Sequence, residues 1–148
     1  MSLFRKILVP TDFSENAHHA LERAIALAKA TDAELHLCHA VQFVAPIVTP
    51  YEVPIPDDFA IQAREAARRH LDDAMKGVTA AGLAGEAHLL AEAADPGISE
   101  LARSLGVDLI VMGTRGITGL KHVLLGSVAE RTVRHAPCSV LTVKRAGA

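Results

Sequence analysis

Residues 108–128 read DLIVMGTRGITGLKHVLLGSV, and the architecture follows from how this stretch divides. Leu109 to Met112 is an unbroken apolar run, the pattern of a strand buried on both faces of a parallel sheet. Gly113 and Gly116 end it, permitting backbone angles and close approaches that a Cβ forbids. Gly126-Ser127 then opens a predicted helix, Val128 to His135, with Ser127 in the capping position. The spacing is G-x2-G-x9-G-S. Free N–H groups at a helix start, the positive end of the helix dipole and a hydroxyl together make an anion cradle that suits a phosphate. No acid lies between Asp108 and Glu130, whereas Arg115, Lys121 and His122 do lie there. Taken alone, the glycines serve equally well as a plain strand-to-helix connection, so the rest of the chain has to decide.

Working outward, Phe4 to Val9 is a first strand ended by Pro10, with Asp12 and Ser14 as turn and N-cap residues. The segment that follows places Ala17, Ala20, Leu21, Ala24, Ile25 and Ala28 on one helical stripe, and Glu34 to Val41 alternates as a second strand. Gln42 to Pro56 carries four prolines and reads as a long irregular connection, either a lid or binding loop or a segment packed over a sheet edge. A helix from Asp57 directs Ala60, Ala63, Ala67, Leu71 and Ala74 inward, leaves Arg64, Arg68 and Arg69 on a solvated face, and stops at Gly82. Glu86 to Ala91 is a third strand, a helix enters through Pro96-Gly97, and after the central strand and its helix comes a fifth strand, Cys138 to Val143. Strict alternation of strand and helix specifies one α/β domain over residues 1–148, a five-stranded parallel sheet with right-handed crossovers and helices on both faces. With strand order 3-2-1-4-5, the ligand crevice lies between strands one and four, lined by Pro10, Thr11 and Asp12 on one side and Gly113 to Gly116 on the other.

Composition narrows the function. Half of the 148 residues are hydrophobic but only 3% are aromatic, with no Trp, one Tyr and four Phe, so no platform for stacking bases exists. A formal net charge of -2 and the lack of a basic stripe argue against a nucleic-acid partner. No apolar run has the length of a membrane span and the first residues do not pattern as a signal peptide, so a cytoplasmic protein without a membrane partner is expected. In that reducing setting Cys38 and Cys138, both in predicted strands, are expected as buried thiols.

Several chemistries are excluded by pattern. There is no G-x-x-x-x-G-K-S/T loop and no G-x-G-x-x-G after strand one. The acidic pair and acceptor Asp of a phosphoacceptor receiver are missing, since strand one ends in Asp12 alone and strand three in Leu90-Ala91-Glu92. His36 and His39 are three apart on a strand and so point to opposite faces, and no Cys–His ligand cluster occurs. Gly126-Ser127 lacks the context of a nucleophile elbow, so no catalytic residue is assigned. Ser14 serves as N-cap, which releases Asp12 to face ribose hydroxyls or a hydrated Mg2+.

The block MGTRGITGLKHVLLGSVAERTVRHAPCSVLTV, together with ILVPTDFSENAHHAL near the start, closely resembles the universal stress protein family over essentially the whole chain. The resemblance implies a Rossmann-like domain of the adenine nucleotide α-hydrolase type, in the branch that carries this glycine pattern and binds ATP. It places Pro10, Thr11, Asp12 and Val41, with Ala40 as the other reading of that strand, around adenine and ribose. Gly113, Gly116, Gly126, Ser127 and Val128 then hold the phosphates. Met112 at the strand end and Arg115, added on charge, complete the expected site. The cofactor expected is ATP with Mg2+. The resemblance also implies two copies paired antiparallel through the last strand, with Cys138 to Val143 as the homodimer edge, although Lys144 and Arg145 serve equally well as edge guards against such pairing. The implied function is a regulatory switch in stress response acting on an unidentified protein partner, with at most slow ATP hydrolysis. A nucleotide-free dimeric scaffold and an ATP-dependent phospho- or nucleotidyltransferase are the rivals.

Overall fold

The structure, a computed structural model, describes residues 2–41, 58–115 and 125–145. Its elements are β1 (Lys6–Pro10), α1 (Glu15–Thr31), β2 (Glu34–Ala40), α2 (Phe59–Ala80), β3 (Ala87–Leu90), α3 (Ala94–Leu105), β4 (Leu109–Gly113), α4 (Ser127–His135) and β5 (Ser139–Val143). The strands form one parallel sheet in the order β3-β2-β1-β4-β5. The Pro-rich stretch Gln42 to Pro56 and Gly116 fall outside the described residues.

Period-two alternation divides the core. Ile7, Val9, Leu35, Leu37, Leu109 and Val111 point to the face covered by α1 and α2, where Ala20, Leu21, Ala24, Ala28, Leu71 and Val78 meet them. Leu8, Cys38, Ile110 and Met112 point to the other face, against Ile98 and Ala102 of α3 and Ala129 of α4. The alanine stripe of α1 is what lets that helix lie close over β4 and β1.

Local chemistry sets the boundaries. Ser14 caps α1 by accepting the Ala17 N–H at 3.2 Å, and Asp32 ends the helix in the left-handed region at φ 56°. The helix α3 begins at Ala94, ahead of Pro96, because a proline in the first turn forfeits no intrahelical hydrogen bond. The helix α2 begins at Phe59 rather than Asp57, and its Ala60 is exposed, so the inward stripe starts later than the periodicity implied, with Ala67, Leu71 and Val78 buried. Whereas β1 runs through Pro10 and β4 through Gly113, two strands are shorter than expected, β3 spanning Ala87–Leu90 and Cys138 standing just before β5. The hydrogen-bonded ladder stops there although the hydrophobic pattern continues.

The end of the sheet remote from the crevice is clamped by Asp108. Its Oδ2 accepts the backbone N–H groups of Arg5 at 2.8 Å and Lys6 at 2.9 Å, tying the starts of β1 and β4 together. These two hydrogen bonds, helped by the charges of Arg5 and Lys6, hold its carboxyl below the usual carboxylate range. A depressed pKa contributes stability above the unfolded value of about 3.9, and that contribution is lost as pH falls through the folded value. Asp108→Ala is therefore expected to cost about 1–2 kcal/mol at pH 7, a melting shift of roughly 3–6 °C. The difference between variant and wild type in thermal scans should shrink as pH falls below about 4; a pH-independent difference contradicts the clamp.

Candidate nucleotide site

The chain passes from β1 outward to β2 and β3, then crosses back to β4 on the other side of β1. At this switch point the strand carboxyl ends diverge and leave a crevice. It holds a cavity of about 510 Å³. Ten of the eleven residues expected from sequence line it: Pro10, Thr11, Asp12, Val41, Met112, Gly113, Arg115, Gly126, Ser127 and Val128. The eleventh, Gly116, lies outside the described residues.

The β1–α1 turn forms one wall. Asp12 Oδ1 accepts the Ser14 N–H at 3.0 Å, and Thr11 Oγ1 accepts the Phe13 N–H at 3.1 Å. Asp12 is thus engaged in turn chemistry as well as facing the cavity, where the sequence reading had Ser14 relieve it of that duty. Gly113 forms the opposite wall. A Cβ there stands 3.1 Å from the Asn16 carbonyl oxygen, so the absence of a side chain lets β4 end against the first turn of α1.

A hydrogen bond from Gly126 N–H to the carbonyl of Thr114, the residue after β4, at 2.6 Å ties the helix start to the end of that strand. The N-cap is Gly126 and Ser127 is the first helical residue, so the helix starts one position earlier than the sequence suggested, and the cap residue itself offers no side chain. The first intrahelical bond runs from Glu130 N–H to the Gly126 carbonyl. The N–H groups of Ser127, Val128 and Ala129 therefore have no acceptor within the helix, and all three residues border the cavity. Among the described lining residues Arg115 is the guanidinium and Asp12 the carboxylate; Lys121 and His122 fall outside the description.

Residues that the motifs did not mark complete the walls. Ala17, Ala63, Ala67 and Ala94 supply a small-residue lining that a period pattern records only as core. Both Ala40 and Val41 border the cavity, so the two registers weighed for that strand are both represented. His39 lies beneath the turn, its Nδ1 2.7 Å from the Thr11 carbonyl and its ring 4.4 Å from that of Phe13. His36 does point to the other face, where its Nδ1 is 3.1 Å from His88 Nε2. Burial and then the neighbouring His36 push the His88 pKa down. No group of three or more His, Cys, Asp or Glu among the described residues is arranged to hold a metal ion.

Cys38 is fully buried at the cavity floor, and that burial pushes its thiol up to about 12. Such a thiol stays protonated, and therefore a poor nucleophile, near neutral pH. In native protein, alkylation followed by mass spectrometry is expected to label the half-buried Cys138 first and Cys38 only after denaturant is added; equal labelling rates overturn this.

The sequence profile of the Universal stress protein family matches residues 3–144. The chain belongs to the universal stress protein family. Universal stress protein MJ0531 of Methanocaldococcus jannaschii is 36% identical over 147 residues, which cover 97% of this chain and 84% of that one. The solved structure of hypothetical protein MJ0577 superposes with a TM-score of 0.83 at 30% identity, covering 99% of both chains. A universal stress protein solved in complex with cAMP superposes with a TM-score of 0.71 at 26% identity, covering 96% of this chain and 98% of that one. This universal stress protein shares their five-stranded parallel architecture. Among the described residues no helix is long and apolar enough to cross a membrane.

Proposed function

We propose that this universal stress protein binds an adenine nucleotide, ATP with Mg2+, between the carboxyl ends of β1 and β4, and acts as a nucleotide-dependent homodimeric switch for a protein partner. The observation that carries the reading is the start of α4, where three backbone N–H groups without helical acceptors border the cavity beside Arg115. The relative in complex with cAMP supports an adenine nucleotide as the ligand class. In this reading Pro10, Thr11 and Ala40–Val41 flank adenine and ribose, and Gly113, Ser127 and Val128 face the phosphates. Asp12 meets ribose hydroxyls or the hydration shell of Mg2+ that arrives with the nucleotide. Binding is the function, with at most slow hydrolysis.

The homodimer is proposed through β5, which pairs only with β4 among the described strands and leaves Leu141 exposed. A ligand alters partner affinity only by binding two conformations unequally, so the switch requires nucleotide and partner to be thermodynamically coupled.

One observation favours a nucleotide-free scaffold instead: Gly113 has a packing reason of its own against Asn16. Calorimetric titration of the nucleotide-stripped protein with ATP and Mg2+ separates the two. One site per subunit with micromolar affinity, about -8 kcal/mol, supports binding. No heat with ATP, ADP, AMP or cAMP and an unchanged melting temperature support the scaffold.

A further inference from the structure

The β1–α1 turn holds a conformation that its own sequence disfavours. Phe13 sits at φ 64°, a left-handed backbone that a bulky side chain adopts only when its surroundings over-determine it. Two local bonds contribute, Thr11 Oγ1 to Phe13 N–H and Asp12 Oδ1 to Ser14 N–H. The β1–β2 ladder reaches only as far as Pro10 and Cys38, with Thr11 N–H to the Cys38 carbonyl at 2.8 Å as its last rung. Beyond that rung the sheet no longer holds the Thr11 carbonyl. His39 takes it over: its Nδ1 lies 2.7 Å from that oxygen, and its ring packs against Phe13 at 4.4 Å. A carbonyl only accepts, so Nδ1 carries the proton.

We propose that His39 is the positioning residue of the cavity, its Nδ1–H fixing the Thr11 carbonyl and thereby the turn Pro10–Asp12 that faces the ligand. The inference rests on the nucleotide reading for its ligand and on the geometry above for the brace. It acts through backbone placement, because a displaced turn presents Thr11 and Asp12 at the wrong distance.

Two variants separate the donor from the ring. His39→Phe keeps an aromatic face for Phe13 and removes the donor, whereas His39→Asn places an amide N–H near the position of Nδ1 and removes the ring. His39→Phe is expected to weaken ATP–Mg2+ binding by about tenfold, and His39→Asn to recover most of that loss, as for one hydrogen bond lost or kept. In ligand-free protein the Thr11 to Ser14 amide resonances are expected to move in His39→Phe and to stay near wild type in His39→Asn. Wild-type affinity in His39→Phe, or equal losses in both variants, overturns the proposal. Nitrogen-15 spectra of the wild-type imidazole showing the Nε2-protonated tautomer overturn it without any variant. If wild-type protein takes up no nucleotide, the nucleotide reading fails by itself, and the ligand-free spectra still decide the brace.

Discussion

Ser127→Glu is expected to abolish most nucleotide binding while leaving the protein as stable as wild type, or slightly more so. Ser127 is exposed, is the first residue of α4 and makes no capping hydrogen bond, so a longer side chain there displaces no core atom. A carboxylate in the first turn complements the helix dipole and contributes about 0.3–1 kcal/mol to stability. The same carboxylate stands where the proposed phosphates would lie. Two like charges about 5 Å apart at an effective dielectric near 20 repel by about 3 kcal/mol, and solvent exposure reduces this to about half. The expected loss in affinity is therefore about 10- to 100-fold, with a melting temperature equal to or up to about 3 °C above wild type. Calorimetric titration and a thermal scan of one preparation read both quantities. Opposite signs in binding and stability are the signature of a ligand site, because damage to the fold lowers both. Unchanged binding in this variant removes the helix start from the site.

Gly85→Ala is expected to have the largest effect on folding. Gly85 adopts φ +150°, and a Cβ built on it stands 1.9 Å from the Leu35 carbonyl oxygen and 2.6 Å from its carbon. Both partners are backbone, and Leu35 is fully buried near the start of β2, so no side chain can swing aside. The flanking bonds, Leu35 N–H to the Ala84 carbonyl at 2.8 Å and Leu37 N–H to the Glu86 carbonyl at 3.0 Å, hold the approach in place. Relief requires moving the entry to β3 away from β2, which breaks those bonds and opens the core. The cost is expected to exceed about 4 kcal/mol, enough to lower the melting temperature by more than about 8 °C or to prevent soluble expression. Gly77→Ala is the control. It lies in α2 with nothing within 4 Å of the added Cβ, so the better helix former is expected to raise stability by about 0.5–1 kcal/mol. Denaturant midpoints of the two variants should move in opposite directions, and a Gly85→Ala midpoint within error of wild type contradicts the packing account.

The fold was legible because its signals are of one kind. The run from Leu109 to Met112 is apolar at every position, which only a strand covered on both faces explains, and alternating helices then require the parallel sheet that is observed. The strand order in turn places Pro10, Thr11 and Asp12 opposite Gly113 from topology alone, and all four line the cavity. What escaped the sequence depends on distances rather than types. Serine is the better N-cap by propensity, yet the bond from Gly126 N–H to the Thr114 carbonyl fixes the cap one residue earlier. Gly113 reads as a glycine that permits a close approach at the strand's end, but its partner, Asn16, is set by the packing of α1. Ala60 matches the helical period and is exposed, since period marks a face of the helix but not where that face meets the sheet. Strand period gives His39 a direction but no partner, because its bond to Thr11 spans 28 residues of chain.

In the proposed function the crevice between β1 and β4 receives the phosphates of an adenine nucleotide at the start of α4. Titrating uniformly nitrogen-15-labelled, nucleotide-stripped protein with ATP and Mg2+ while following backbone amide resonances tests it most directly. Saturable shifts are expected, one site per subunit, largest at Thr11, Asp12, Gly113, Ser127, Val128 and Ala129, with Arg5, Lys6 and Asp108 at the far end of the sheet unmoved. Saturable shifts centred elsewhere, or none at millimolar nucleotide, contradict it.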